Sequence, residues 1–558
     1  MDDINIIIAG AAGEGIQTIG NALADTIAAQ GYAVFSWQEY ESRIRGGQNS
    51  YSVRVSEKIR NSPLIKVDIL LGINENAVEK YKHLLEGKGV ILAEKAYTGH
   101  TISIPFTQIA KEELGNKIFA NSVATGALSA MLGIELDTLT GVLSWIFADK
   151  DKKIIEANHR AARLGYESAT KECVDRCPWN LPKKNEGHYY VISGNEAIPV
   201  AAAHAGCRFI AAYPMTPSTG IITKLAQAED QLGVFTQQAE DEIAAINMAI
   251  GASFAGARSM TATSGGGFAL MVEGISLAGM TETPIVIVLG QRPGPATGLP
   301  TRTAQGDLLF AVNAGHGEFP KCVMAPSDPK DAFHKIVRAF NLADKFQIPV
   351  IVLTDQFLAD AQFSIADFEI DKAEPVQYMA DPESITDYKR YLITDEGISP
   401  RLYPGQSSHL VCADSDEHDE EGHITEDLKG VVIPMVNKRL AKYIQLKREI
   451  MEPEELEVEN TKTILVSWGS SRNAIVEARE ILKNDGISAG MIHFTELWPL
   501  PEYHFPAGKR YISVENNATD QFARLLKSEF GITMDSHINR YDGLPLTGEY
   551  IRSRVNEK

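Results

Sequence analysis

Short apolar runs that end in glycine-rich turns and restart as helical patterns constrain this chain more than any other feature. The first run covers residues 4–9. It closes in Gly10-Ala-Ala-Gly13-Glu-Gly15 and continues as a helical pattern over 16–30. Strand, glycine turn and helix in that order begin a βαβ unit. Strand-like runs follow at 32–36, 67–72 and 89–93, separated by helical stretches, which predicts a parallel sheet covered on both faces. The alternation returns with strands at 209–213, 260–264, 284–289 and 349–354 and helices at 240–255 and 330–345. It returns a third time with strands at 463–468, 488–494 and 510–515 and a helix at 471–484.

The fold class expected is therefore α/β and multidomain, with four regions. Residues 1–185 form the first α/β domain, bounded by the Pro-containing stretch CVDRCPWNLPKKNEGH. Residues 186–365 form the second. Residues 366–458, rich in Asp, Glu, Pro and Tyr, lack strand–helix alternation and read as a connecting segment ending in a basic amphipathic helix over 435–450. Residues 459–558 form a smaller α/β domain. A length of 558 residues accommodates three to four domains at ~150 residues each.

Charge and cysteine content exclude several classes. Lys+Arg is 53 against Asp+Glu 73, a net charge of -20, which argues against nucleic acid or an anionic membrane surface as the main partner. Five cysteines rule out a disulfide scaffold and fit a reducing cytoplasm. The start, MDDINIIIAGAAGEG, lacks the basic region of a signal peptide, and no apolar run reaches the ~18 residues of a membrane helix.

Six segments carry the chemistry. The spacing Gly10-x-x-Gly13-x-Gly15 is neither the dinucleotide-binding G-x-G-x-x-G nor a P-loop. It is either a tight turn or a seat for a phosphate-bearing cofactor or the tail of an acyl carrier. Arg43-Ile-Arg45-Gly46-Gly47 is either an anion clamp or a solvated loop with subunit-interface charges. In Tyr213-Pro214-Met215-Thr216-Pro217-Ser218-Thr219 two prolines restrict the backbone on both sides of Thr216, which suits a hydroxyl presented to a ligand. Gln238-Ala-Glu240-Asp241-Glu242 heads a helix. Its carboxylates either complement the helix dipole or include one buried against a nitrogen base. Ser264-Gly265-Gly266-Gly267 makes a ligand-approach turn. Gln291-Arg292-Pro-Gly-Pro-Ala-Thr-Gly-Leu-Pro-Thr301-Arg302 is a shaped loop at a strand's C-terminal end, where open α/β sheets place ligands, with Arg292 and Arg302 as carboxylate clamps. The acidic run DSDEHDEEGH at 414–423 invites a metal site through His418 and His423, but clustered loop acids are usually solvated, and no metal ligand is assigned.

AGAAGEGIQTIG, ESRIRGGQNS, AAYPMTPSTGI, QAEDEIAAINMAIGASFAGARSMTATSGGG and GQRPGPATGLPTRTAQGDL, in that order, resemble the alpha subunit of two-subunit 2-oxoacid:ferredoxin oxidoreductases with a fused gamma-type domain. The resemblance implies a gamma-type domain, a pyrimidine-binding domain of thiamine diphosphate enzymes and a transketolase C-terminal-like domain. It implies that Glu240 meets the aminopyrimidine ring, with Tyr213, Pro214, Ser264 and Gly265 also at the cofactor and Gly10, Gly13 and Gly15 at a cofactor in the first domain. Thr216 would face the substrate, Arg292 and Thr301 would hold the 2-oxo acid carboxylate, and Arg302 is a candidate cation for a distal carboxylate. Met215, Ala296 and Gly266 depart from the residues usual at their positions.

The chain lacks a G-D-G…N stretch for magnesium diphosphate: Gly306-Asp307 is followed by Leu. It also lacks the C-x-x-C-x-x-C run of an iron–sulfur cluster, having only Cys173 and Cys177 near one another, which read as structural. The resemblance therefore implies a beta subunit that shares thiamine diphosphate and supplies Mg2+ and a [4Fe-4S] cluster, in an alpha–beta dimer or a dimer of dimers. The expected reaction is coenzyme A-dependent oxidative decarboxylation of a 2-oxo acid, 2-oxoglutarate before pyruvate or a broad range, with electrons passed to ferredoxin. Two other readings are a nucleotide-dependent dehydrogenase, weakened by the glycine spacing, and a non-catalytic binding subunit, weakened by the joint presence of Thr216, Glu240, Arg292 and Thr301.

Overall fold

The computed structural model describes residues 3–41, 47–174, 176–184 and 187–556. Arg43, Arg45 and Gly46 of the expected anion clamp lie outside them. The chain divides into two compact units. One holds the segment ending at Ile192 together with Asp360–Asp367 and Thr547–Glu549; the other holds Ser193–Ala359, Phe368–Leu546 and the C-terminal segment from Tyr550. The fold class is α/β and multidomain, as expected, but its three sheets are all mixed.

The first unit contains an eight-stranded sheet. Ile4–Ala11, Val67–Gly72, Leu85–Ala93 and Thr101–Ser103 run parallel, as the alternation predicts. The all-parallel expectation fails at Gln48–Ser56, which lies antiparallel between Ile4–Ala11 and Ala33–Glu39. Residues 40–47 are too short for the dozen-residue crossover that a parallel neighbour requires, so the chain returns antiparallel. Tyr190–Ile192 and Gln362–Ile365 complete the sheet, the latter pairing with Ala33–Glu39. One disulfide, Cys173–Cys177, closes just after the helix Lys152–Glu172.

The second unit contains two sheets. The seven-stranded sheet runs Glu496–Trp498, Cys322–Met324, Pro349–Asp355, Ile285–Gln291, Arg258–Ser264, Cys207–Ala212 and Phe235–Gln238, parallel except for the first. Its central strands Ile285–Gln291 and Pro349–Asp355 are largely apolar because helices cover both faces. The five-stranded sheet is built on Thr463–Trp468, Ala489–Phe494 and Arg510–Glu515, with Glu454–Leu456 as an antiparallel edge. One apolar cluster runs through both sheets, from Ile246, Phe268, Ile287 and Leu308 to Trp468, Phe494 and Phe522.

The stretch between Phe368 and the helix Ile433–Glu449 has little regular structure, as its sequence predicts. Ion pairs anchor its end: Lys438 and Lys442 on that helix both reach the buried Glu282. Arg390 stands close enough to add its charge and donates to the backbone carbonyls of Glu282 and Thr281. No helix among the described residues is long and apolar enough to cross a membrane.

Candidate functional site at the strand ends

The seven-stranded sheet has a topological switch. From Cys207–Ala212 the chain moves to Phe235–Gln238 on one side, then returns to Arg258–Ser264 on the other. The crevice at the carboxyl ends of such diverging strands is where open α/β sheets bind ligands. The residues 213–218, 240–242, 264–267 and 291–292 all leave the sheet at this end.

Each segment is pinned there. The Thr216–Pro217 peptide is cis, Ser218 donates its hydroxyl to the Thr263 carbonyl, and Asn195 donates to the Pro217 carbonyl at 3.0 Å. Ser218 is buried while Tyr213 and Pro214 face outward and Thr216 is half-buried. Arg292 Nη1 donates to the Thr216 carbonyl at 2.7 Å, so the expected pair is together, joined through the threonine backbone. Burial pulls the Arg292 guanidinium below its usual range, and the Asp307 carboxylate partly offsets this. Thr301 and Arg302 lie further along the loop, half-buried, with the Arg302 stem against Gly543.

The glycine turn is shaped by what lies against it. A β-carbon on Gly267 would stand 2.1 Å from Thr263 Oγ1 and 2.4 Å from Glu242 Oε1, and one on Gly265 would stand 2.9 Å from Asp307 Oδ2. Gly266 is open, with Met215 Sδ at 4.0 Å. Ser264 is buried and its hydroxyl has no hydrogen-bond partner.

The carboxylates after Gln238 separate sharply. Glu240 is exposed. Asp241 caps the helix Glu242–Phe254, accepting from Ala244 N at 2.8 Å. Glu242 is only 3% exposed and its Oε1 has no partner. A buried carboxylate oxygen without a donor is costly unless a ligand supplies one. The resemblance places the ring contact at Glu240, whereas the buried carboxylate of this segment is Glu242; the Asp307 carboxylate lies beside Gly265. Helical spacing marks Glu242, since positions three, four and seven further on are Ala245, Ile246 and Ala249, all buried.

In the first unit, Gly13 and Gly15 line a cavity of about 530 Å³ together with Gln17, Gln38, Tyr40 and Asn49. Gly15 precedes the helix Ile16–Ala29 in left-handed conformation, with no side-chain cap. The first amides of that helix therefore have no intrahelical partner and lie at the cavity wall. Gly10 is not part of this wall. The Glu14 carboxylate fills its space and accepts from Ala11 N and Asn74 Nδ2, both at 2.7 Å. Elsewhere His418 is buried against Tyr391, while Asp419, Glu421 and His423 cluster near the surface.

Residues 5–168 match the family described as pyruvate ferredoxin/flavodoxin oxidoreductase. Residues 200–438 match the thiamine diphosphate-binding family of pyruvate flavodoxin/ferredoxin oxidoreductase. The 2-oxoacid:ferredoxin oxidoreductase subunit alpha of a Sulfolobus species is 31% identical over 99% of this chain and 95% of its own length. The chain belongs to the 2-oxoacid:ferredoxin oxidoreductase alpha subunits. It is thus a subunit of an oxidoreductase whose acceptor is ferredoxin, with a gamma-type domain followed by a thiamine diphosphate-binding domain. The 2-oxoglutarate synthase subunit KorA of Archaeoglobus fulgidus is 36% identical over 56% of this alpha subunit and 82% of its own length. The structure of 2-oxoglutarate:ferredoxin oxidoreductase from Magnetococcus marinus, with 2-oxoglutarate, coenzyme A and succinyl-CoA bound, covers 100% of this chain and 99% of its own. It superposes with a TM-score of 0.91 at 32% identity.

Proposed function

We propose that this alpha subunit, with a beta subunit, carries out coenzyme A-dependent oxidative decarboxylation of 2-oxoglutarate to succinyl-CoA and CO2, with electrons passing to ferredoxin. The ligands of the Magnetococcus marinus enzyme and the likeness to 2-oxoglutarate synthase subunits support the choice of acid. The beta subunit would supply Mg2+ and the [4Fe-4S] cluster.

The observation that carries the reading is the unpartnered Glu242 Oε1 beside the glycine turn. An aminopyrimidine ring nitrogen that carries a proton is the donor this oxygen lacks. We assign that contact to Glu242 in place of Glu240, whose exposed carboxylate has no such confinement. Tyr213, Pro214, Ser264 and Gly265 border the same crevice and would hold the cofactor, with the free Ser264 hydroxyl as a further polar contact. Thiamine diphosphate, when bound, supplies the electron sink for loss of CO2.

Arg292 neutralises the acid's carboxylate from a guanidinium already fixed on the Thr216 carbonyl, so little of its freedom is lost on binding. Thr216 presents its hydroxyl beside that carboxylate, and Thr301 and Arg302 extend the contact along the loop. In the first unit, Gly13, Gly15 and the uncapped helix start suit a phosphate of coenzyme A; Gly10 shapes the turn without reaching the cavity.

The test is reduction of a viologen dye by the co-expressed alpha–beta complex given thiamine diphosphate, Mg2+, coenzyme A and a panel of 2-oxo acids. Turnover with 2-oxoglutarate that is lost in Arg292→Ala is expected. Preference for pyruvate, or equal use of several acids, would replace the substrate assignment. No turnover with any acid would leave a binding subunit.

A further inference from the structure

Ser218 precedes the helix Thr219–Gln227, where a serine hydroxyl ordinarily caps, yet it makes no cap hydrogen bond. The hydroxyl is directed across the crevice instead and donates to the Thr263 carbonyl of Arg258–Ser264. The pairing of Cys207–Ala212 with Arg258–Ser264 ends at Ile210 and Met260. Ala211 and Ala212 pair on the other side, with Gln237 and Gln238. The Ser218 bond therefore rejoins the two walls of the crevice beyond the point where their ladder stops. One wall carries Thr216, whose carbonyl holds Arg292. The other leads directly into Ser264-Gly265-Gly266-Gly267, with the Glu242 carboxylate against Gly267. Gly290, which pairs with Ser264 in the next strand, makes the space for this bond. A β-carbon on Gly290 would stand 2.5 Å from Ser218 Oγ and 3.0 Å from Pro217 Cγ.

We propose that Ser218 is a positioning residue that sets the distance between a 2-oxo acid held by Thr216 and Arg292 and thiamine diphosphate held by the glycine turn and Glu242. The places of both ligands rest on the proposed function. Reaction requires the 2-oxo carbon of the acid within about 3–3.5 Å of the reactive carbon of the cofactor, and a misplacement of about 1 Å can lower the rate about a hundredfold. Each wall has its own anchors. Arg292 and Asn195 hold the carbonyls of Thr216 and Pro217, and the Asp241 cap holds the helix start at Glu242. These bonds fix each binding group on its own wall, whereas the Ser218 bond fixes one wall to the other. Its loss leaves the binding groups in place and shifts their mutual alignment, so the rate falls while affinity is kept.

Single-turnover decarboxylation tests it. The alpha–beta complex is loaded with thiamine diphosphate and Mg2+, and its cofactor content is measured. Release of labelled CO2 is then followed without coenzyme A, from the carboxyl-labelled 2-oxo acid that the wild type uses best. Ser218→Ala should lower the maximal rate per loaded site by about ten- to a hundredfold, with the half-saturating acid concentration and the cofactor content nearly unchanged. Ser218→Cys, which keeps a weak donor, should fall between. Gly290→Ala keeps the hydroxyl but pushes it from its seat, and should lose rate in the same way. These two variants carry the test if Ser218→Ala does not fold. Ser259, on the same strand as Thr263, also buries its hydroxyl on a carbonyl, that of Ala249. Ser259→Ala should therefore lower the melting temperature as Ser218→Ala does, with the maximal rate kept. A wild-type maximal rate in Ser218→Ala or Gly290→Ala overturns the positioning role. So does a rate loss no greater than that of Ser259→Ala, or weaker acid binding at an unchanged maximal rate. Absence of decarboxylation of every acid by the wild type would instead count against the proposed function.

Discussion

Two glutamates in the second unit are almost fully buried, and their surroundings are opposite. Glu282 meets Lys438 and Lys442 directly and lies in the field of Arg390. Burial alone would raise its carboxyl, but Lys442, Lys438 and Arg390 outweigh that and hold it well below the usual range. Glu242 has an oxygen with no hydrogen-bond donor, facing Gly267, where no side chain fits. A buried charge surrounded by counter-charges is complete within the fold. A buried oxygen left open beside a crevice is stable only at a cost that a ligand relieves. The contrast separates an anchor from a site more sharply than burial does, since the two are 1% and 3% exposed.

Removing each charge tests the contrast most strongly. Glu242→Gln should lower viologen reduction by about a thousandfold, within the range for a positioned acid or base, while Glu240→Gln changes it little. The melting temperature of Glu242→Gln should hold or rise, because its Oε1 has no hydrogen bond to lose. Glu282→Ala should do the reverse. It strands two buried lysines and should cost about 3–5 kcal/mol in chemical denaturation. A Glu242 variant that unfolds, or a Glu282 variant of normal stability, would erase the distinction.

Smaller changes sharpen it. Gly267→Ala forces a β-carbon onto Thr263 Oγ1 and Glu242 Oε1 and should destabilise by about 1–3 kcal/mol, with turnover falling beyond what the lost folded fraction explains. A pH dependence is also expected at the anchor. Burial, then the charges of Lys438 and Arg390, pull Lys442 down to about 7 although Glu282 opposes them. The unfolded chain, with lysine near 10.4, binds more protons between these values. Stability should therefore rise as pH increases from 7 toward 10, and Lys442→Met should flatten the rise seen by thermal melting.

The central strands were legible because a strand buried on both faces is rich in apolar residues: 67–72, 463–468 and 510–515 are matched residue for residue. Gln48–Ser56 was not, because Ser50, Ser52 and Arg54 are buried between its apolar residues, Arg54 being satisfied by Asp3 and the Ser62 carbonyl. Gln362–Ile365 and Glu496–Trp498 are short and join sheets assembled from other parts of the chain, which no local pattern reveals. At the site, motif spacing located the segments, and Thr216 and Arg292 do meet. Among the three neighbouring carboxylates, the helix phase buries Glu242, while Glu240 precedes the helix and is exposed. Asp307 had no local signal beyond a Gly-Asp pair, since its environment is made by Gly265, Gln291 and Gln521.

The strand Gln362–Ile365 has a consequence in time. Ser364 both donates to and accepts from the backbone of Val34, 330 residues earlier, and Phe363 packs edge-on against Phe35. At about 5–20 residues per second, a ribosome needs roughly 15–70 s to cover that separation. For that interval the edge of Ala33–Glu39 waits with its ladder unpaired, the state in which a sheet recruits a neighbouring chain. Nascent copies on one messenger would be exposed to one another during this wait, so an early arrest of synthesis should yield aggregates of the first unit, where an arrest beyond residue 365 should not.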